Sequence, residues 1–165
     1  MKARIDNPAL AFPGAFEALQ RLATAVRRAE IPETTLALVE LRASQINGCS
    51  ICVDLHSHEL EHAGESARRI NTVAAWREAP YFTDAERAAL ALTEAATRIA
   101  DRPDPVPDAV WEEAALHYDE RQLGALVLAI AGINAWNRIN AATRQITGDW
   151  VSEWVQKSHA EEQAA

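Results

Sequence analysis

The amino-acid sequence predicts an all-α protein, a compact single-domain bundle of about six to eight helices. Apolar residues recur at spacings of three and four, the period of a helix, whereas no segment alternates with period two over the length of a strand. Alanine and leucine, which dominate the apolar residues, are strong helix formers. With 165 residues, the chain has the size of one domain.

The first half of the chain predicts four helices. An apolar stripe from Phe16 to Val26 marks the first, and Pro13 lies near its start, where a missing N–H costs nothing. Asn47 and Gly48 tolerate a left-handed backbone, so we expect the second helix to end there. The expected spans of the second, third and fourth helices are about 31–47, 49–63 and 66–76.

The second half predicts three more helices. Thr83 with Glu86 and Asp119 with Gln122 each form a capping box, in which side chain and backbone bond reciprocally at a helix start. Between them, the Pro-rich segment 101–107 reads as a loop whose last proline opens another helix. The expected spans are about 83–99, from 107 onward, and 119–146, followed by a C-terminal tail, 150–165.

The charge of the chain argues against two classes of partner. Sixteen Lys and Arg stand against 24 Asp and Glu, and the net charge of −8 disfavours binding to nucleic acid or to an anionic membrane. No apolar stretch has the length of a signal peptide or of a bilayer span. We therefore expect a cytoplasmic protein that binds neither nucleic acid nor membrane.

The two cysteines of the chain are its most informative feature. Cys49 and Cys52 lie three residues apart, and in a reducing compartment this spacing indicates redox or metal chemistry rather than a structural disulfide. Both lie at a predicted helix N-terminus, where free amides and the helix dipole stabilise a thiolate. His56 follows Cys52 by one helical turn, where an imidazole can exchange a proton with a sulfur.

The geometry of a helix tests whether these side chains form one group. At about 100° per residue, four side chains suited to thiol chemistry fall on one face of the third helix, and two histidines fall on the opposite face. The group of four is Cys49, Cys52, His56 and Glu59, and the excluded histidines are His58 and His62. A carboxylate near the imidazole would orient it, and Glu40 and Glu59 are the candidates.

Two other interpretations of the cysteines stay open. Zinc is one, but Cys49, Cys52 and His56 supply three ligands where a closed structural site normally has four. Burial as two inert apolar residues is the other. Glu40 fits a solvated carboxylate as well as a relay member, and a solvent-exposed position is favoured for Glu59.

The later helix carries polar residues in an otherwise apolar sequence. Such residues need partners when buried, so the helix is expected to pack at a subunit contact or to line a polar pocket. We expect a structural role for these residues, and core or interface positions for the tryptophans. The polar residues are Asn134, Asn137, Arg138 and Asn140.

The motif LRASQINGCSICVDLH, residues 41–56, resembles the core motif of the AhpD-like alkylhydroperoxidases in the carboxymuconolactone decarboxylase superfamily. Residues 135–138, AWNR, resemble the C-terminal helix of that family, and the resemblance covers about residues 10–146. It implies an AhpD-like all-α fold, here one domain over 1–165, and an obligate homo-oligomer, a trimer or hexamer. It further implies an antioxidant function, the reduction of hydrogen peroxide or organic hydroperoxides.

The resemblance also implies roles for individual residues. Cys52 would attack the peroxide, Cys49 would resolve the sulfenic acid, and His56 would belong to a proton relay. The reductant would be a small dithiol or a protein, and no haem, metal or other cofactor would be required. The helix dipole favours Cys49 as the more acidic thiol, so the order of attack rests on the resemblance and on the position of His56.

One position departs from the family pattern. The relay glutamate of the family lies where this chain has Ala37, and Glu40 stands three residues later. On a helix the two positions differ by about 60° and 4.5 Å, so Glu40 can still reach the site. Three other functions stay open: a disulfide reductase or electron carrier, a decarboxylase of the carboxymuconolactone type, and a non-enzymatic oligomeric binding module.

Overall fold

The structure, a computed structural model, describes residues 2–100 and 102–163, with side chains described through Lys157. This part of the chain is all-helical and contains no strand, which confirms the predicted fold class. It comprises a 3-10 helix at Val73–Ala75 and nine α-helices: α1 (Pro8–Ala11), α2 (Ala15–Arg27), α3 (Glu33–Asn47), α4 (Ser50–His62), α5 (Ala67–Asn71), α6 (Asp84–Thr97), α7 (Asp108–Ala115), α8 (Glu120–Thr143) and α9 (Trp150–Gln163).

The predicted helix starts agree with the structure, and three segments differ. The predicted helix over 66–76 is divided, because the Thr72 hydroxyl bonds to the carbonyls of Arg68 and Arg69 and the chain continues as a 3-10 turn. The short α1 was not predicted. The predicted tail is helical through Gln163, because Val151 and Val155, one turn apart, are buried against the rest of the protein. Two helices also end earlier than expected, α6 at Thr97 and α8 at Thr143.

Helix α3 lies at the centre of the fold. It packs against α4, α6 and α8, and its side chains are buried around most of its circumference. Leu38, Val39 and Leu41 are at most 1% exposed, although they point in different directions around the helix. The C-terminal end of α3 therefore leads from the core to the exposed Gly48 and the buried Cys49.

The asparagines of α8 tie it to the end of α3. Asn47 Nδ2 donates to Oδ1 of Asn134 at 2.9 Å and to Oδ1 of Asn137 at 2.8 Å. Asn137, which is fully buried, donates in turn to Ser44 Oγ at 3.1 Å. These bonds satisfy polar groups that would be costly to bury alone, and they hold the turn before Cys49 against α8.

A carboxylate joins α3 and α6 elsewhere in the core. Glu94 of α6 accepts from Arg42 Nη2 at 2.6 Å, Arg77 Nη1 at 2.6 Å and Trp76 Nε1 at 3.0 Å. Burial raises the pKa of Glu94, but the hydrogen bonds from Arg77, Trp76 and Arg42 outweigh it and lower this pKa to about 2.

Among the described residues, no helix combines the length and the apolar character needed to cross a membrane.

Candidate active site

The two cysteines form a disulfide at the start of α4. Gly48 ends α3 with a left-handed φ of 67°, and this reversal places Cys49 as the N-cap of α4. Cys49 and Cys52 are bonded, with their Cα atoms 5.4 Å apart. The backbone N–H of Cys52 donates to Cys49 Sγ at 3.4 Å, so an amide of the first helical turn faces this sulfur, as the sequence led us to expect.

The cysteines differ in what they face. Cys49 is 2% exposed and Cys52 is 3% exposed, so neither lies on the outer surface. A cavity of about 340 Å³ is bordered by Cys52 but not, among the described residues, by Cys49. Its walls come from α2, α3, α4, α8 and α9 and are largely apolar; they include Leu22, Val26, Leu55, Ile133, Trp136 and Trp154. A small molecule that enters this cavity therefore lies beside Cys52.

His56 lies between two carboxylates at the same cavity. Its Nδ1 is 2.8 Å from Glu59 Oε2 and 3.5 Å from Glu40 Oε2. The imidazole is buried, and both carboxylate side chains are only 19% exposed. Nε2, the other ring nitrogen, is buried without a hydrogen-bond partner among the described residues. Nδ1 is therefore engaged by acids, while Nε2 is left for proton exchange.

The electrostatics of this group favour a charged imidazole. Burial lowers the pKa of His56, but the Glu59 and Glu40 carboxylates together outweigh it, so this pKa lies above its ordinary value. Burial also raises the pKa of Glu40, and the nearby Glu59 adds to this effect while His56 opposes it. Two carboxylates around one imidazole thus hold a proton within the cluster.

The structure brings together the residues that the sequence singled out. Cys52, His56 and Glu40 line one cavity, and Cys49 is bonded to Cys52. Ala37 lines the same cavity one turn before Glu40 on α3. The longer side chain of Glu40 reaches His56 from that next turn. His58 and His62, which the helix geometry had excluded, border a separate depression at the surface.

Two residues have a larger part in the site than the sequence indicated. Glu59 was expected to be mainly a surface carboxylate, yet it makes the shorter contact with His56. Asn140 of α8 donates from Nδ2 to Cys52 Sγ at 3.5 Å. The sequence held a signal for Asn140, a polar residue in an apolar helix, but nothing in the pattern connected it with the cysteines.

The same cluster has the spacing of metal ligands. The ligand atoms of Glu40, His56 and Glu59 lie within 4.8 Å of one another. Hydrogen bonding and charge attraction between the imidazole and the acids account for this spacing. The zinc site of Cys49, Cys52 and His56 considered from the sequence does not exist in the disulfide form, because the bonded sulfurs offer no thiolate.

Comparison with known proteins identifies relatives of the chain by sequence. The profile of the carboxymuconolactone decarboxylase family matches residues 13–95. The uncharacterized protein YdfG of Bacillus subtilis is 40% identical over 116 residues, which are 70% of this chain and 78% of YdfG. The uncharacterized protein YnjA of Escherichia coli is 34% identical over 116 residues, or 70% of this chain and 62% of YnjA.

Solved structures extend the comparison to the fold. A protein of unknown function from Agrobacterium tumefaciens, which has been suggested to be the antioxidant defence protein AhpD, superposes with a TM-score of 0.82. It shares 38% identity and covers 89% of this chain and 99% of its own. The debrominase Bmp8 has a TM-score of 0.74 at 21% identity, over 87% of this chain and 76% of its own, and so shares the fold. The chain thus belongs to the carboxymuconolactone decarboxylase family and has an AhpD-like fold.

Proposed function

We propose that this protein is a thiol peroxidase that reduces organic hydroperoxides or hydrogen peroxide through a dithiol–disulfide cycle of Cys49 and Cys52. One observation carries the proposal: Cys52 borders a cavity that His56 and its two carboxylates also line. A nucleophile, an acid–base group and space for a substrate therefore meet at one place. The likeness to the Agrobacterium protein suggested to be AhpD supports the same assignment.

The first step oxidises Cys52. In the reduced protein the Cys52 thiolate attacks the terminal oxygen of the hydroperoxide, so an S–O bond forms and the O–O bond breaks. The alkoxide or hydroxide leaves with the electron pair and takes a proton from the His56 imidazolium. Cys52 becomes a sulfenic acid, and the peroxide is reduced by two electrons to an alcohol or to water.

The second step closes the disulfide. Cys49 gives its proton to the neutral His56, and its thiolate attacks Cys52 Sγ, which expels hydroxide. Hydroxide takes the proton back from His56 and leaves as water. An external thiol or dithiol, small or carried by a protein, then reduces the disulfide by exchange and restores the thiolate and the imidazolium. The cycle balances without haem, metal or another cofactor.

The cavity favours an apolar substrate. A volume of about 340 Å³ lies in the range of sites that hold small organic molecules, and the cavity lining is mostly aliphatic and aromatic. Burying an apolar group stabilises a complex by about 25 cal/mol per Å². We therefore expect the specificity constant to be higher for an aryl or long-chain hydroperoxide than for hydrogen peroxide.

The proposal includes a cytoplasmic homo-oligomer, a trimer or hexamer. A reducing compartment would supply the thiol donor that the cycle needs. Several large apolar side chains are exposed on the single chain, among them Leu10 at 72%, Phe12 at 69% and Leu116 at 77%, as expected of surfaces that a second copy covers. Light scattering of the purified protein would measure the number of subunits.

The test measures peroxide consumption by wild type and the two single-cysteine variants under excess dithiol. One equivalent of peroxide should convert the reduced wild type to a species two hydrogens lighter. Cys49→Ser should accumulate a sulfenic acid that dimedone traps, and Cys52→Ser should be inert. If Cys52→Ser consumed peroxide at the wild-type rate, the peroxidase function would be excluded.

The same variants separate the other functions. A decarboxylase would use the acid–base group of His56, Glu59 and Glu40, and both cysteine variants would keep its activity. A disulfide reductase would use the same two sulfurs on a disulfide of another protein. Such an enzyme would reduce a protein disulfide faster than it reduces any peroxide.

A further inference from the structure

The Cys52 sulfur receives a hydrogen bond from outside its own helix. Asn140 of α8 is 6% exposed, and its Nδ2 lies 3.5 Å from Cys52 Sγ. Asn140 also borders the cavity that Cys52 faces. A sulfur that carries negative charge gains from such a donor, because hydrogen bonds to charged groups are the stronger ones. The amide thus lies where a Cys52 thiolate would need it.

A second asparagine determines which end of the Asn140 amide faces the sulfur. Asn7 Nδ2 donates to Asn140 Oδ1 at 3.1 Å, so the oxygen of Asn140 is turned towards Asn7 and its nitrogen towards Cys52. Asn7 is oriented in its turn, because its Oδ1 caps α1 by accepting from the backbone N–H of Ala9 at 3.0 Å. A backbone amide therefore sets the direction of both side-chain amides.

We propose that Asn140 is a catalytic residue that stabilises the Cys52 thiolate through its amide N–H. Asn7 is then a positioning residue that keeps the Asn140 amide from flipping its oxygen and nitrogen. The role in turnover rests on the proposed peroxidase function, whereas stabilisation of the thiolate does not. The pair explains how Cys52 competes with Cys49. The helix amide of Cys52 serves the Cys49 sulfur, and Asn140 supplies a separate donor to Cys52.

Charged groups on three elements share the cavity with Cys52 and would act on the charge of a thiolate there. They are Arg27 of α2, Glu33 and Glu40 of α3, and His56 and Glu59 of α4. A test of Asn140 must leave all of them unchanged. Substitutions at Asn140 and Asn7 meet this condition when the new residue is neutral.

The experiment uses the Cys49→Ser protein, in which Cys52 is the one remaining thiol. The rate of alkylation by iodoacetamide against pH gives the pH at which half of Cys52 is thiolate. Asn140→Ala should raise this midpoint by roughly one pH unit, because the charged form loses a hydrogen bond. Asn7→Ser should raise it by less, since serine still caps α1 but has no amide donor.

Two comparisons separate thiolate stabilisation from a structural effect. Asn134→Ala removes an asparagine of α8 that is also 6% exposed but bonds to Thr97 and Asn47 rather than to sulfur, so its midpoint should equal that of the parent. In the Asn140→Ala background, Asn7→Ser should add no further shift. Circular dichroism checks that each variant is folded at the pH of measurement.

The outcomes are decisive in either direction. An unchanged midpoint in folded Asn140→Ala overturns the proposal, as does an equal shift in Asn134→Ala. If Asn140→Ala does not fold, Asn7→Ser decides, and an unchanged midpoint in that variant overturns it. Alkylation needs no peroxide. A wild type that reduces no peroxide would therefore disprove the proposed function without changing the test of thiolate stabilisation by Asn140.

Discussion

Glu59 and His56 lie one helical turn apart on α4, and Oε2 of the glutamate is 2.8 Å from Nδ1 of the histidine. The contact is shorter than that from Glu40 on α3, which lies at 3.5 Å. The imidazole is thus oriented first by its own helix and second by a neighbour. This order allows the two acids to be separated by experiment.

Glu59→Gln should lower the pKa of His56, because burial, which disfavours the charged ring, then meets a weaker opposing charge. Glu40→Gln should lower it by less, since its carboxylate is the weaker of the two influences. Titration of the His56 ring signals by NMR measures both. Glu61→Gln, on the exposed face of α4, is the matched control and should change nothing. A larger shift in Glu40→Gln would contradict this order.

Acid should weaken the contact between α3 and α6 through Glu94. Its pKa falls from 4.5 in the unfolded chain to about 2 in the folded protein, so the carboxylate contributes stability above pH 4.5 and loses it as the pH falls towards 2. Glu94→Gln should therefore lower the free energy of unfolding by about 2–3 kcal/mol at pH 7. Urea unfolding at several pH values measures this difference.

The control for Glu94 is an acid of similar charge and different surroundings. Glu113→Gln changes a carboxylate whose side chain is 57% exposed, and its effect at pH 7 should be within about 0.5 kcal/mol. The loss in Glu94→Gln should shrink between pH 4.5 and 2, because the wild type becomes protonated there too. A loss that stayed constant over this range would assign the effect to packing instead of charge.

Trp154 should contribute to the choice of substrate. It forms part of the cavity wall from α9, so Trp154→Ala removes apolar surface from the site. We expect the specificity constant for cumene hydroperoxide to fall roughly three- to tenfold, and that for hydrogen peroxide to change little. Trp111→Ala is the matched control, because Trp111 of α7 is comparably exposed and does not border the cavity. Equal losses for both peroxides would argue against a role in selectivity.

The hydrogen bond between Asn47 and Asn137 should stabilise the turn that carries Cys49. Asn137→Ala removes two hydrogen bonds, one from Asn47 and one to Ser44, and should cost about 1–3 kcal/mol in unfolding free energy. A double-mutant cycle with Asn47→Ala should give a coupling of about 1 kcal/mol, because the two side chains are in direct contact. Strict additivity of the two losses would mean that the hydrogen bond between the Asn47 and Asn137 side chains adds nothing to the free energy of unfolding.

The sequence predicted the parts of the site that depend on one helix. Cys52, His56 and Glu59 share a face of α4 because helical spacing is a local property. The end of α3 at Gly48 was predictable because glycine readily adopts the left-handed backbone found there. The capping boxes at Thr83 and Asp119 form as expected, because each involves residues close in sequence.

Contacts between distant segments could not be predicted from the sequence. Asn140 meets Cys52 across 88 positions, and Asn7 meets Asn140 across 133, so no local pattern reports either pair. Helix α9 was expected to be a tail because most of its residues are polar. Val151 and Val155 are buried only because α4 packs against them. The depth of Glu59 likewise depends on the helices around α4 and not on its own neighbours in sequence.

Most of the cavity wall is made by two separate stretches of the chain. Both cysteines, His56 and both glutamates fall within the segment that matches the family profile, 13–95, whereas Leu128, Trp136 and Trp154 lie beyond it. The thiols and the acid–base group thus lie in the first stretch, while both stretches shape the cavity. A library diversified at Leu128, Trp136 and Trp154 would retain the redox pair and Asn140 while it samples new substrates, which makes the protein a practical scaffold for directed evolution.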